Sequence, residues 1–341
     1  MNCLTTTMET TDSTCAAAGS GLSAFQVESL ERVAAGVLQL VLVPQGGAPC
    51  HAVEPGAHVD VHLPQGLVRQ YSLLNAGERH RYVIAVGLDA RSRGGSAYVH
   101  GGLRPGERLM LGVPRNNFAL DGSRAPAVLL AGGIGITPLW SMAQQLQRQG
   151  RRWTLYCCAR SAEHAAFVQQ ARALAQAGSV GCVHTHFNAE AGGAPIDIDA
   201  LLGRHAPDSH FYCCGPAPML DAFVAATGRR GIAQAQLHVE RFSASPTGQE
   251  QAGEEAFEVV LNSGAVHRVP PRQSILDVLL QAGESLPHSC KQGICGSCET
   301  AVLQGEPLHR DALLSPAERA SNRTMMICVS RARSGRLVLD I

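Results

Sequence analysis

The chain carries no net charge: 28 Lys and Arg stand against 28 Asp and Glu in 341 residues. A general nucleic-acid binder needs a basic footprint, and none exists at the level of the whole chain. Long apolar runs are missing too. The longest, PAVLLAGGIGITPL, is broken by Gly and Pro and falls far short of a membrane span. Aromatic residues are scarce at 4 %, although a hydrophobic content of 45 % is enough for real cores. The first stretch, MNCLTTTMETTDSTCAAAGSGLS, lacks a basic segment followed by an apolar one, so no signal peptide is expected. It reads as a disordered tail over residues 1–22, with Met8 a candidate start. A reducing, cytoplasmic compartment follows from that reading, and the twelve cysteines are then expected as thiols or metal ligands rather than disulfides. No internal repeat at solenoid periods is visible.

What is present falls into three segments. Residues 23–122 carry short strand-like runs between turn signals: FQVESLERVA, LQLVLVP, HVDVHLP, RQYSLLN, YVIAVGL and RLMLGVP. Little helical periodicity lies between them, which predicts a small antiparallel barrel. Residues 123–242 alternate apolar strands (PAVLLA, WTLYCCA, VGCVHTHF, HFYCCG, QLHVERF) with helical patterns (LWSMAQQLQRQ, AEHAAFVQQARALAQA, PAPMLDAFVAATGRRG). That alternation predicts a parallel α/β sheet. The polar stretch SASPTGQEQAGEEA reads as a linker over 243–256. Residues 257–341 form a compact α+β unit: a hairpin from FEVVLN and AVHRVP, a short helix from SILDVLLQAG, a cysteine-rich loop, and the closing strand RLVLDI.

The loop PHSCKQGICGSCET places Cys290, Cys295 and Cys298 at C-x4-C-x2-C, and MMICVS supplies Cys328. Zinc ribbons pair two C-x2-4-C knuckles, and the second knuckle is missing. The spacing is the plant-type one for a [2Fe–2S] cluster. Two irons and two sulfides need four thiolates, and a tight loop must wrap three of them with its N–H groups turned toward sulfur. Gly293 and Gly296 permit the unusual φ angles, and Ser297 adds a small donor. Four free thiols, or a zinc site, are the plain alternatives. Of the remaining cysteines, Cys157, Cys158 and Cys213 read as small buried hydrophobes.

CKQGICGSCETAVLQGEPLHRDALLS, with MMICVSRA and LVLDI, resembles the C-terminal ferredoxin domain of the phthalate dioxygenase reductase family. That family supplies electrons to two-component aromatic oxygenases and demethylases. RQYSLLN resembles the R-x-Y-S signature of the ferredoxin-reductase-like flavin barrel. There Tyr71 would pack on a flat ring, Ser72 would bond near its redox-active nitrogen, and Arg69, with Gln70 beside it, would hold a phosphate. The resemblance implies that Gly94, Gly95 and Ser96 hold the 5′-phosphate of FMN, helped by Arg91 or Arg93, and that Val86 and Gly87 run along the ring. No loop suited to a flavin adenine is visible, which favours FMN over FAD.

GGIGITP (Gly132, Gly133, Gly135, Ile136, Thr137, Pro138) stands where a phosphate loop belongs but departs from G-x-G-x-x-G. At the end of the next strand Arg160 stands in place of an acid. A glycine turn without a ligand is the alternative. In the resembled family this G-G-x-G-x-T-P serves NAD, C-G-P (Cys214, Gly215, Pro216) faces the nicotinamide, and an aromatic at the position of Phe242, near Glu240, covers the flavin. Cys214 as a buried thiol and Phe242 as a core residue are the competing readings. The expected catalytic set is Ser72, Cys214, Glu240 and Phe242. The resemblance implies a monomeric reductase taking hydride from NADH onto FMN. It would pass single electrons through a [2Fe–2S] cluster to a separate Rieske-type terminal oxygenase acting on an aromatic carboxylate or aryl ether. A quaternary-amine oxygenase as partner, or a non-catalytic iron–sulfur redox sensor, are the alternatives.

Overall fold

The structure is a computed structural model that describes residues 21–47, 49–90, 92–243 and 255–341. Met8, Cys3, Cys15, Arg91 and most of the expected tail and linker lie outside the described residues.

Residues 23–111 form six strands: β1 (Ser23–Ala34), β2 (Val37–Pro44), β3 (His58–Leu63), β4 (Leu67–Ser72), β5 (Tyr82–Gly87) and β6 (Arg108–Leu111), with helix α1 (Gly95–Gly101) before β6. Their order is β4-β3-β6-β1-β2-β5, and every pairing is antiparallel. A bridge between Leu73 and Ile84 joins the two edges, so the sheet closes on itself. Alternation along β5 decides which side chain goes where. Tyr82, Ile84 and Val86 fill the barrel, while Val83 and Ala85 face outward into a second core.

The next segment runs β7 (Ala127–Gly132), α2 (Ile136–Arg148), β8 (Trp153–Ala159), α3 (Val168–Gln176), β9 (Gly181–Phe187), α4 (Ile198–Leu202), β10 (His210–Cys214), α5 (Ala217–Arg229) and β11 (Leu237–Glu240). All strand pairs are parallel, in the order β11-β10-β7-β8-β9. All six residues of β7 are buried, as a strand covered on both faces requires. The chain winds outward from β7 through β8 to β9 and then returns to lay β10 on the other side. The gap between the C-terminal ends of β7 and β10 is therefore the topological switch point, where open α/β sheets take ligands. The helix expected across AEHAAFVQQARALAQA is shorter than its pattern. Phe167 takes a left-handed φ of +60°, which separates a short 3-10 turn (Ala162–His164) from α3.

Residues 257–341 form β12 (Phe257–Leu261), β13 (Val266–Val269), α6 (Ile275–Gln281), β14 (Glu299–Gln304), β15 (Pro307–Leu308), α7 (Pro316–Ser321), β16 (Thr324–Met326), β17 (Arg331–Ala332) and β18 (Arg336–Leu339). The main sheet is β13-β12-β18-β14-β16, with the hairpin as expected. The closing strand β18 lies at its centre, parallel to β12 and antiparallel to β14. Helix α7 had a readable signal in Ser315 and Glu318, which form a capping box.

The barrel and the parallel sheet share one core. Val37, Leu74, Val83 and Ala85 of the barrel pack with Ile136, Leu139 and Met142 of α2. The third unit has a core of its own around Leu276, Leu279, Met325 and Leu337.

Candidate functional site

All three units meet at one cavity of about 260 Å³. Strand β4 contributes Arg69, Gln70, Tyr71 and Ser72 to its wall, the β5–α1 segment adds Gly87, Arg93 and Ser96, and Thr137 comes from α2. Glu240 and Phe242 reach it from the end of β11, and Cys290 from the cysteine loop. Val86 does not reach it: period two along β5 sends that side chain into the barrel core, and Ala85 lines the wall instead. The Val86 side chain therefore faces away from the cavity, and only its backbone is left to flank a ring.

The polar atoms of this wall are set for a ligand. Ser72 is 4 % exposed, and its Oγ has no protein partner among the described residues. Arg69 is steadied by bonds from its guanidinium to the Val68 and Arg93 carbonyls. Its stem crosses directly over Gly95, where a Cβ would lie 2.7 Å from Nε, and Gly94 beside it has φ +93°. Ser96 Oγ donates to Ser92 Oγ and accepts from the Asp89 amide, making a small hydroxyl cluster next to the arginine. A flat aromatic group with an anionic tail fits these donors: Tyr71 and Phe242 offer ring faces, and Arg69 with Ser92 and Ser96 suits phosphate. His58, which no sequence motif marks, pairs with Ser72 across β3 and β4 and lines the same wall. Its Nε2 also has no partner among the described residues, and burial, reinforced by Arg115, pushes its pKa down to about 4, so the ring is neutral at pH 7.

The switch-point crevice explains the glycines differently from a phosphate loop alone. A Cβ on Gly135 would lie 2.1 Å from the Cys214 carbonyl oxygen, and one on Gly132 would lie 2.6 Å from Pro216 Cδ. A Cβ on Gly215 would in turn lie 3.0 Å from Gly132 Cα. GGIGITP and C-G-P therefore interlock backbone against backbone. Gly133 (φ +55°) and Ile136 open on a small hollow beside Cys157 and Cys158, Thr137 Oγ1 donates to the Ile134 carbonyl, and Pro138 lies buried in the first turn of α2. Arg160 stands exposed past the end of β8.

Cys214 is fully buried, opposite Glu240 in the parallel register of β10 and β11, with Sγ 3.9 Å from the carboxylate. Burial, then the neighbouring Glu240, pushes the thiol well up, so it is protonated and no nucleophile. Glu240 keeps a partly exposed edge, yet desolvation raises its pKa to about 8. The pair is thus largely neutral at pH 7. A carboxyl that holds its proton when folded and loses it near 4.5 when unfolded makes stability fall as pH rises from about 4.5 to about 8. Glu240→Gln cannot lose that proton. Its unfolding temperature is expected to gain on that of the native protein through this window; a difference between the two that stays constant from pH 5 to 8 refutes the assignment.

The four loop cysteines converge. Cys290 lies within hydrogen-bonding reach of the Cys295 and Cys328 thiols, and Cys298 within reach of Cys328. They meet as a chain of pairs, and among the described residues no set of three or more metal-ligating side chains surrounds a single-ion position. The Gln292 amide donates to Cys290 Sγ at 3.3 Å, and Ile294 N–H also points to that sulfur. Gly293 and Gly296 take φ +70° and +75°, and a Cβ on Gly293 would lie 2.6 Å from Val329 Cγ2. Thiolate donors, inward-turned amides and left-handed glycines fit a two-iron cluster. Cys295, Cys298 and Cys328 are buried, whereas Cys290 faces the cavity.

A closed barrel with an aromatic-and-arginine wall, a parallel nucleotide-type sheet and a four-thiolate loop on one cavity define a modular electron-transfer oxidoreductase. Residues 129–225 match the family model of the oxidoreductase NAD-binding domain, and residues 259–333 that of the 2Fe-2S iron–sulfur cluster binding domain. The chain is 46 % identical over 319 residues to a tetrachlorobenzoquinone reductase of Sphingobium chlorophenolicum, covering 92 % of this chain and 97 % of that one. It is 42 % identical to a vanillate O-demethylase oxidoreductase of a Pseudomonas strain, covering 92 % and 98 %. A solved phthalate dioxygenase reductase, described as a modular structure for electron transfer from pyridine nucleotides to [2Fe-2S], shares 36 % identity and superposes with a TM-score of 0.67 over 94 % of this chain and 98 % of that one. A self-sufficient cytochrome P450 monooxygenase superposes with a TM-score of 0.85 at 34 % identity over 94 % of this chain, which spans about two fifths of its length (41 %). The chain belongs to the phthalate dioxygenase reductase family.

Proposed function

We propose that this protein is the reductase component of an oxygenase system, taking hydride from NADH onto FMN and sending electrons singly through a [2Fe–2S] cluster to a separate Rieske-type terminal oxygenase. One observation carries the reading: Cys290 shares a single cavity with Tyr71, Ser72 and Phe242. Bound flavin supplies the conversion of a two-electron hydride into one-electron steps. The chain's residues do the rest. Tyr71 and Phe242 would stack on and cover the ring, Ser72 would offer its unpartnered hydroxyl to it, and Arg69 with Ser92 and Ser96 would hold the phosphate. The interlocked Gly132–Gly135 and Cys214–Pro216 segments form the floor on which the nicotinamide nucleotide lies. Glu240, neutral at pH 7 beside a protonated Cys214, keeps charge away from the nicotinamide as it approaches. Cys290 is the cluster ligand nearest the ring and hence the exit.

A vanillate O-demethylase oxidoreductase and a toluene-4-sulfonate monooxygenase system reductase subunit among its relatives support such a partner. The docking is transient, the reductase monomeric and the setting cytoplasmic. Among the described residues no helix is long and apolar enough to cross a membrane. The match to a tetrachlorobenzoquinone reductase favours one second reading, direct reduction of a small quinone at the cavity.

Heat-released flavin is expected to run as FMN at one per chain, and stoichiometric FAD refutes the choice. NADH is expected to give a higher kcat/KM than NADPH; comparable values overturn that preference and point to Arg160 as a 2′-phosphate partner. Coupled turnover with candidate oxygenases, run beside reduction of a chlorinated quinone, separates the two readings of the electron acceptor.

A further inference from the structure

The cysteine loop is fastened to the barrel by a polar network centred on Asp60. Asp60 on β3 is 6 % exposed, and its carboxylate accepts from both Arg115 terminal nitrogens and from Gln70 Nε2, each at 2.8 Å. Burial alone would raise its pKa, but the bonds from Arg115 and Gln70 win and hold it ionised. The same Gln70 amide donates its second hydrogen to Ser289 Oγ at 2.6 Å, and the nearby Ser289 hydroxyl helps to hold Asp60 ionised. Two residues past Arg115, Asn117 Nδ2 donates to the Cys295 carbonyl at 3.0 Å. Arg115 is itself coupled electrostatically to Cys295 and Cys290.

Each group depends on the next. Without its carboxylate partner, Arg115 would be a half-buried cation with nothing to aim it, and Gln70 would be free to turn away from Ser289. The third unit has a core of its own that includes no residue of the barrel. The hydrogen bonds at Ser289 and Cys295 therefore set where Cys290 stands relative to the cavity.

We propose that Asp60 is a positioning residue: by orienting Gln70 and Arg115 it docks the Ser289–Cys295 loop on the barrel and so holds the cluster at electron-transfer distance from the flavin wall. This rests on the electron route proposed above.

The experiment compares the native holoprotein with Asp60→Asn and Ser289→Ala. Rapid mixing with NADH follows flavin reduction and cluster reduction separately, and hydrogen exchange follows the amides of residues 289–298. Losing one partner of a buried charged bond shifts a docked-to-undocked ratio about tenfold. Asp60→Asn is expected to slow cluster reduction about tenfold, and Ser289→Ala about threefold. Flavin reduction stays at the native rate in both, and exchange of the loop amides rises. A purely structural role for Asp60 would lower the unfolding temperature and leave loop exchange and cluster reduction unchanged. Should Asp60→Asn lose its flavin, Ser289→Ala decides, since it leaves the barrel intact. Cluster reduction within twofold of native in a Ser289→Ala protein that retains flavin and cluster overturns the proposal while leaving the route standing. A native protein in which NADH reduces flavin but never the cluster sinks the route and the proposal together.

Discussion

Cys295→Ser is expected to abolish electron delivery to a terminal oxygenase while NADH still bleaches the flavin. Serine oxygen is a harder and less readily ionised ligand than thiolate, so the cluster is lost or badly weakened. Changes beyond the ligand shell already cost roughly 10–100-fold in metal affinity, and removing a ligand outright exceeds that. Cys295 is a sharp choice because its side chain stands apart from the third unit's apolar core, which includes Cys298 and Cys328. The barrel and parallel sheet share their own core, so hydride transfer has no need of the cluster. The variant is expected to reduce a small two-electron acceptor at the native rate and to fail with one-electron protein acceptors. Oxygenase turnover at the native rate in protein shown spectroscopically to lack the cluster would mean that the cysteine loop is not the route.

Gly135→Ala is the mirror experiment, closing the entrance instead of the exit. The added methyl would lie 2.1 Å from the Cys214 carbonyl oxygen and 2.4 Å from its carbon. Both are backbone atoms in a buried strand, so no side chain can swing aside. The start of α2 must shift off the end of β10, at a cost of ~1–3 kcal/mol or more. Displacement of the nicotinamide floor by an ångström is expected to slow flavin reduction by NADH on the order of 100-fold. The cluster spectrum should be unchanged, because the third unit packs separately. Gly228→Ala is the control: it lies inside α5 with open space around its Cβ position, and alanine there is expected to stabilise the helix by ~0.5–1 kcal/mol. Equal flavin-reduction rates in the native protein and Gly135→Ala would refute the interlock as part of the NADH site.

Much of the site lies in short-range pattern. The C-x4-C-x2-C spacing, the turn glycines between its cysteines, the strand bearing Arg69, Tyr71 and Ser72, and the glycine turn after β7 are all fixed within about a dozen residues. Alternating strands and helices likewise announced a parallel sheet. Period two along β5 likewise separates Ala85 and Gly87 from Val86, which faces the barrel core. The helix expected from Ala162 failed at Phe167, where a single left-handed residue breaks a pattern that helical spacing alone would continue.

The sequence by itself determined the three kinds of folded unit, the C-x4-C-x2-C spacing and the motifs around Arg69–Ser72 and Gly132–Pro138, because thiol spacing and side-chain period are local properties of the chain. Tertiary structure alone decided how they meet. Sheet order brings Gly135 against Cys214 across the switch point, and parallel register sets Cys214 beneath Glu240, so that the thiol is buried and protonated. Antiparallel register places His58 beside Ser72. The bond from Gln70 to Ser289 spans 219 residues of chain, and the one from Asn117 to Cys295 spans 178. No local pattern encodes such contacts, since they exist only once two separately cored units have docked and buried a carboxylate between its partners.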